Sequence, residues 1–251
     1  MRGAKALERI KAGYQFKRLR QDGVLALFTS GRKNFSFGRE NFEPLRINRR
    51  SFLKQVGINF KDLVCLQQVH SSGVVCVGED ERGKGAQQGE SAISGADAVI
   101  TDVRNLPLAI FIADCLAIYF FDSRKRIIGL AHAGWRPTAE KICLKVIKML
   151  RQHFGSQSES LVVAFSPAIR SCCYEVDLKV SKFFKHSLIR RGDRLFLDLA
   201  KENKIQLLEM GVKEKNIIDC GICTACSQKE FFSYRREGLK AGRMMAVMMI
   251  K

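Results

Sequence analysis

The chain has 251 residues, 46% of them hydrophobic and 27% charged, ordinary proportions for a globular protein long enough to bury a substantial core. Its 43 Lys+Arg against 25 Asp+Glu give a net charge of +18, a balance that attracts polyanions. The longest apolar stretch, Pro107 to Phe121, is broken by Asp114 and too short to span a bilayer. Nine cysteines without an export signal argue for reduced thiols and against a disulfide framework.

Residues 1–23 read as a basic N-terminal segment and 24–251 as a single catalytic domain. Met1 to Gln21 has no apolar signal-peptide core, and Glu8 and Asp22 speak against a transit peptide, so the cytoplasm is the expected location. The segment Met1 to Arg50 carries 13 basic and 4 acidic residues. The remaining charges are dispersed, with no aromatic-interleaved RNA motif and no helix-turn-helix pattern. Solvated surface plus a pocket for an anionic substrate is therefore the reading taken over nucleic acid, and no membrane partner is expected.

In chain order, Leu25 to Thr29 reads as a strand and Arg49 to Val56 as a short helix before Gly57. Leu63 to Val69 and Val74 to Val77 are strands around a Ser71-Ser72-Gly73 turn. Four more follow at Ala98 to Thr101, Leu108 to Ile112, Ala117 to Phe121 and Ile127 to Ala131. A helix from Pro137 to His153 has proline in its first turn and one apolar face. Leu161 to Phe165 is a buried strand, and helices are expected over Asp177 to Lys185 and from Asp198 to Met210, the latter stopped by Gly211. Arg243 to Ile250 is a last strand. Strands and helices intermix without strict alternation, which predicts an α/β fold, a single domain with a mixed β-sheet and flanking helices.

Three residues carry most of the chemistry. His70 and His132 end strand-like runs in polar turns, and Cys115 follows Asp114 inside an apolar strand pair. Two imidazoles and a thiolate suit zinc, with a fourth position left for water or substrate. In His132-Ala133-Gly134-Trp135-Arg136-Pro137, small residues permit close approach, a helix start offers N–H groups to an anion, and Arg136 adds a charged fork. Trp135 either stacks on a flat substrate or caps the core. A buried Asp114 requires a partner such as a histidine N–H or an arginine. Cys220, Cys223 and Cys226 recur at three-residue spacing, reminiscent of part of a cluster- or zinc-binding run. No fourth cysteine follows nearby, although Cys172-Cys173 could approach in space, so structural or reactive thiols are the reading. Tyr234-Arg235-Arg236 is either a phosphate or ribose contact or a surface loop.

The order and spacing of these segments resemble one family. They are Gln68-Val69-His70, Ala96-Asp97-Ala98, Ala113-Asp114-Cys115, His132-Ala133-Gly134-Trp135-Arg136 and Ser166-Pro167-Ala168-Ile169. Further along come Cys172-Cys173-Tyr174-Glu175-Val176, Asp198-Leu199 with Asn203, Cys223-Thr224-Ala225-Cys226, Phe232-Ser233-Tyr234-Arg235-Arg236 and Gly242-Arg243. The chain resembles the YfiH/YlmD family, also called the laccase-domain or multicopper polyphenol oxidase family. The resemblance implies a zinc site of His70, Cys115 and His132. It also implies purine nucleoside chemistry, with phosphorolysis of adenosine, inosine and methylthioadenosine and deamination of adenosine. Another role it suggests is removal of serine from a peptidoglycan precursor. Nucleoside and inorganic phosphate are the expected partners, Asn48, Arg49, Gln68 and Arg235 the substrate contacts, and Asp114 and Arg136 the catalytic groups, with Asp114 moving protons. Departures are Pro137 and Ser166, each where glycine is usual, and a shortened, altered Thr29-Ser30-Gly31-Arg32 loop.

The oxidase name fails on arithmetic, since four histidines are far too few for a mononuclear copper and a trinuclear cluster. Copper could still occupy His/Cys ligands adventitiously, and Met244, Met245, Met248 or Met249 could complete a blue-copper set, although they read better as core. Two further possibilities are Cys115 as a nucleophile activated by His132 on an amide, and a basic anion- or nucleic-acid-binding module around a structural metal.

Overall fold

The computed structural model describes residues 6–31, 33–36 and 42–251; Arg32 of the altered loop lies outside them. In chain order the elements are β1 (Leu7–Ile10), β2 (Gly13–Phe16), α1 (Lys17–Gln21), β3 (Val24–Thr29), α2 (Phe42–Gln55), β4 (Val64–Cys65) and β5 (Val74–Cys76). Next are β6 (Ala98–Thr101), β7 (Leu108–Ile112), β8 (Leu116–Asp122), β9 (Ile127–Ala133), α3 (Trp135–Ala139), α4 (Ile142–Phe154) and β10 (Leu161–Phe165). The rest are β11 (Glu175–Val176), α5 (Leu178–Ser181), β12 (Leu188–Arg191), β13 (Arg194–Leu197), α6 (Leu199–Glu209), β14 (Ile217–Asp219), α7 (Tyr234–Glu237) and β15 (Met244–Ile250).

Two six-stranded sheets form, in the orders β1-β2-β3-β15-β7-β4 and β14-β10-β8-β9-β6-β5, with a three-stranded sheet β11-β13-β12 beside them. Most pairs are antiparallel, while β4·β7, β5·β6 and β10·β14 are parallel. The α/β class with mixed sheets is as the sequence predicts, but the apolar runs build two stacked sheets and not one. Alternation along the strands explains this. Ala26, Phe28, Ile110, Ala246 and Met248 of the first sheet share a core with Val99, Tyr119, Phe121 and Leu130 of the second. The opposite face of the first sheet, with Leu27, Phe111 and Val247, takes Phe52 and Leu53 of α2. The far face of the second, with Ile100, Ile118 and Ala131, takes Val146, Ile147 and Leu150 of α4 and Leu207 of α6. Strands covered on both faces read as continuous apolar runs, which is why β7 to β9 are so apolar.

Several expected boundaries move. Residues 7–21, set apart above as a basic segment, add β1 and β2 to the first sheet through β3. Their charged residues hid a hairpin whose inward positions, Leu7 and Phe16, are buried. The Pro137 to His153 helix is two helices, broken where Lys141 takes φ 60°. The helix over Asp177 to Lys185 is the single turn α5, capped by Asp177. The Leu63 to Val69 strand pairs with β7 only over Val64 and Cys65, and Leu66 bridges Ile93. Beyond them the Gln68 side chain replaces the ladder, donating to the Phe111 carbonyl at 2.9 Å and accepting from its N–H at 2.7 Å. No helix among the described residues is long and apolar enough to cross a membrane.

One hydrogen bond ties the two sheets together: the fully buried Tyr119 hydroxyl donates to the Leu27 carbonyl at 2.6 Å. Tyr119→Phe leaves that carbonyl without this donor in a dry core and should lower the unfolding free energy by about 1–3 kcal/mol. Urea unfolding measures it, and an unchanged midpoint would show that the bond adds nothing to holding the sheets.

Candidate active site

The first sheet hands the chain to the second at Ala113-Asp114-Cys115, between β7 and β8, and this crossing opens the end of the sandwich. Asp114 makes the turn with φ 79°. Strand β9 runs beside β8 with Leu116 opposite Ala133 and Ala117 opposite His132, so His132 ends next to Cys115. The turn after β4 supplies His70, itself at φ 59°. Side-chain donor atoms of His70, Cys115 and His132 all lie within 4.8 Å of one another. Two non-glycine residues in the left-handed region at one site cost about 1–3 kcal/mol each and persist only where neighbours fix them.

The neighbour that fixes His70 is Asp97, which has no exposed surface. Its Oδ1 accepts from the His132 Nδ1–H at 2.8 Å and the His70 N–H at 3.1 Å. Its Oδ2 accepts from the N–H groups of Val69 and Ser71 at 3.2 and 2.7 Å and from the Ser71 hydroxyl at 3.1 Å. Burial raises the Asp97 pKa, but His132 and the Ser71 amide more than reverse that, and the carboxyl sits below its usual range. Held this way, His132 keeps its proton on Nδ1 and presents Nε2 to the site. Sequence reasoning placed Asp97 in a motif without a role; its signal was a lone carboxylate at the head of the apolar strand β6.

Asp114 does for the Cys115 side what Asp97 does for the histidines. Its Oδ1 accepts from the Thr224 hydroxyl at 2.6 Å, and its Oδ2 from the Ser233 hydroxyl at 2.9 Å and the Arg235 N–H at 2.7 Å. The expected partner, a histidine N–H or an arginine side chain, is thus replaced by two hydroxyls and a backbone amide. With Oδ2 doubly engaged and Oδ1 bonded, this network suits positioning better than the proton transfer expected of Asp114.

A cleft of about 1780 Å³ opens over the trio. Arg46, Arg136, Arg235 and Arg243 line it, beside the rings of Phe111, Trp135, Tyr174 and Tyr234. Arginine and ring are paired: Arg136 lies 4.4 Å from the Trp135 centroid, Arg235 5.3 Å from Tyr174, and Arg243 5.9 Å from Tyr234. Arg136, Arg235 and Gln68 are where the sequence reading wants them, on the cleft wall, although the Gln68 amide is engaged by Phe111. Two expected substrate contacts are not among the lining residues. Arg49 is fully buried between Phe60 and Phe111, and Asn48 donates to the Asn34 carbonyl at 2.8 Å, fixing a loop behind the cleft. The family-type Asn-Arg pair holds structure, while Arg46, one helical turn earlier, faces the cleft. Trp135 is half-buried against Phe183 and also lines the cleft, so it caps and borders at once. The anion-binding helix start expected after Gly134 is only the five-residue α3.

The trio fits a metal by its own chemistry. Burial raises the Cys115 thiol, but the charges and hydrogen bonds of His132 and His70 outweigh it and bring the thiol down to about 6, so the ligating thiolate forms at neutral pH. Gly134 is required beside it, since a Cβ there would stand 2.9 Å from the Cys115 sulfur. Two imidazoles, a thiolate and a carboxylate behind one imidazole make a donor set suited to zinc. The methionines offered for copper are no part of it: Met244, Met245, Met248 and Met249 are buried in β15 and none lines the cleft. Asp97→Asn keeps the shape but weakens the hold on His132. Metal affinity should fall about 10–100-fold, read by competition with a chromophoric chelator; unchanged affinity would remove Asp97 from the site.

Comparison with known proteins gives the same family as the motifs. Residues 19–251 match the family model described as multi-copper polyphenol oxidoreductase laccase. The chain is 35% identical to purine nucleoside phosphorylase YlmD of Geobacillus stearothermophilus over 208 residues, 79% of this chain and 76% of that one. It is 32% identical to adenosine deaminase RL5, from an unknown prokaryotic organism, over 78% of each chain. The crystal structure of Bacillus licheniformis YfiH superposes with a TM-score of 0.93 at 27% identity, covering 98% of this chain and 99% of the other. The chain, matched in sequence and in fold along almost its whole length, belongs to the YfiH/YlmD laccase-domain family.

Proposed function

We propose that this chain is a cytoplasmic, zinc-dependent purine nucleoside enzyme. It uses inorganic phosphate to split adenosine, inosine or methylthioadenosine into free base and ribose 1-phosphate, or the methylthio analogue of that sugar, and it deaminates adenosine. The observation that carries this reading is the Asp97-held trio of His70, Cys115 and His132 at the base of a cleft bordered by paired arginines and aromatic rings. The names of the two relatives, a phosphorylase and a deaminase of purine nucleosides, support it.

His70, Cys115 and His132 would hold the metal, which when bound supplies Lewis-acid chemistry and makes water a better nucleophile at neutral pH. The other residues divide the remaining work. A purine is flat and apolar on its faces, which suits the Trp135, Tyr174 and Tyr234 rings. Phosphate carries the charge that Arg136 and Arg235 attract. Asp114 fixes the backbone of Arg235 and the turn of Cys115 in one contact set, so we read it as a positioning residue.

A second reading has its own observation. Cys115, His132 and Asp97 also line up as nucleophile, base and orienting carboxylate, an arrangement able to cleave an amide. Cys115→Ser separates the two readings. The metal site predicts loss of the metal held by the trio together with nucleoside turnover, whereas a nucleophile predicts that this metal stays at full occupancy with amide cleavage abolished.

Purified protein incubated with adenosine should release adenine only when phosphate is present, and inosine with or without it, as resolved by chromatography. Absence of both products would sink the purine reading. Arg136→Ala and Arg235→Ala should each raise the phosphate KM about tenfold, equivalent to about 1.4 kcal/mol. An unaltered KM in both would move phosphate elsewhere in the cleft.

A further inference from the structure

Outside the cleft, four cysteines gather from two distant parts of the chain. Cys172 and Cys173 lie in the loop between β10 and β11, and Cys223 and Cys226 in the loop between β14 and α7. The sulfurs of all four lie within 4.8 Å of one another, with 3.3 Å between Cys173 and Cys226 and 3.6 Å between Cys172 and Cys226. Cys220, third member of the three-residue spacing, is not among them; it is buried in the core between the sheets. The loops are already joined by backbone. Ala168 donates to the Ile222 carbonyl at 3.2 Å, and Thr224 donates to the Ala168 carbonyl at 3.1 Å.

We propose that Cys172, Cys173, Cys223 and Cys226 form a second metal site, a tetrathiolate that holds a single zinc-class dication and staples these two loops. A tetrahedral ion with zinc–sulfur bonds of about 2.3 Å sets its sulfurs about 3.8 Å apart, close to the spacings seen. A disulfide would need about 2.05 Å and would use only two of the four thiols. A multi-iron cluster inserts its own iron and sulfide between the cysteine sulfurs and spreads them wider than this group, so the crowding selects one ion. Cys223-x-x-Cys226 has the short spacing of zinc-ribbon ligands.

The surroundings favour a cation. A dication is what turns all four crowded thiols into thiolates, their protons leaving to solvent. Cys172 and Cys226 are exposed, which gives the ion a way in. Arg236 donates to the Thr224 and Ala225 carbonyls within the same loop and so braces it.

The position explains its use. Thr224, between the paired cysteines, donates to Asp114, and Tyr174, next to Cys173, lines the cleft. The ion would thus fix one wall of the active site from behind without touching substrate.

The test is metal content of the full chain purified under reducing, oxygen-free conditions, compared among wild type, Cys115→Ser and Cys226→Ser, each then reloaded with cobalt(II). The proposal expects Cys115→Ser to keep a metal whose cobalt form has the strong near-ultraviolet charge-transfer band of a tetrathiolate. Cys226→Ser should lose that band, retain the other metal and melt at a lower temperature. In wild type, zinc should shield these thiols from alkylation, a readout that needs no variant to fold. A metal-free Cys115→Ser protein, equal alkylation rates with and without zinc, or a disulfide within the group under reducing conditions would each overturn it.

Discussion

The arrangement of the site depends on one buried carboxylate. Asp97 has no exposed surface, and a charge there costs several kcal/mol unless it is fully engaged. It is engaged by the 69–71 turn and by the His132 ring together. The same contacts that make the charge tolerable hold His70 in an unfavourable backbone conformation and set the tautomer of His132. Asp114 repeats the device on the other side, drawing Thr224, Ser233 and Arg235 onto the turn that presents Cys115. Two carboxylates therefore gather residues from four other stretches of chain around one opening of the sandwich.

The sheets make that possible. A crossing from β7 in one sheet to β8 in the other leaves a gap at the end of the stack, and the site fills it. Helices α4 and α6 pack on the outer face of the second sheet and α2 on that of the first, leaving this end free for loops. Arginines paired with rings then line the opening, so a charge of +18 is partly focused where an anion would bind.

Much of this was legible before the fold was known. The apolar strands from β6 to β10, β15, and the α6 cap and stop carry strong local signals. The trio could be named because histidine and cysteine interrupt apolar strand ends. Less legible were pieces whose signals are tertiary. Strands β1, β2, β12 and β13 are four residues each and mix apolar with polar or charged residues, and they are strands because a neighbouring edge or hairpin accepts them. Arg49 was expected to contact substrate because, with Asn48, it fits the Asn-Arg pair of the family; its helix turns it inward and Arg46 towards the cleft, which depends on how α2 lies on the sheet. Asp114 looked like an acid–base group because its three donors come from residues more than a hundred positions away. The four-cysteine group was half visible in Cys223 and Cys226, but it takes the tertiary pairing of Ala168 with Cys223 and of Arg170 with Asp219 to bring Cys172 and Cys173 to them.

The central claim is that the Asp97-held trio binds the metal on which nucleoside turnover depends. Its most direct measurement is stepwise chelation of Cys226→Ser protein, in which the trio is the remaining candidate site, with metal content and phosphate-dependent adenine release followed on the same samples. The account predicts that release falls in proportion to the metal removed and returns when zinc is restored. Undiminished release from metal-free protein would contradict it.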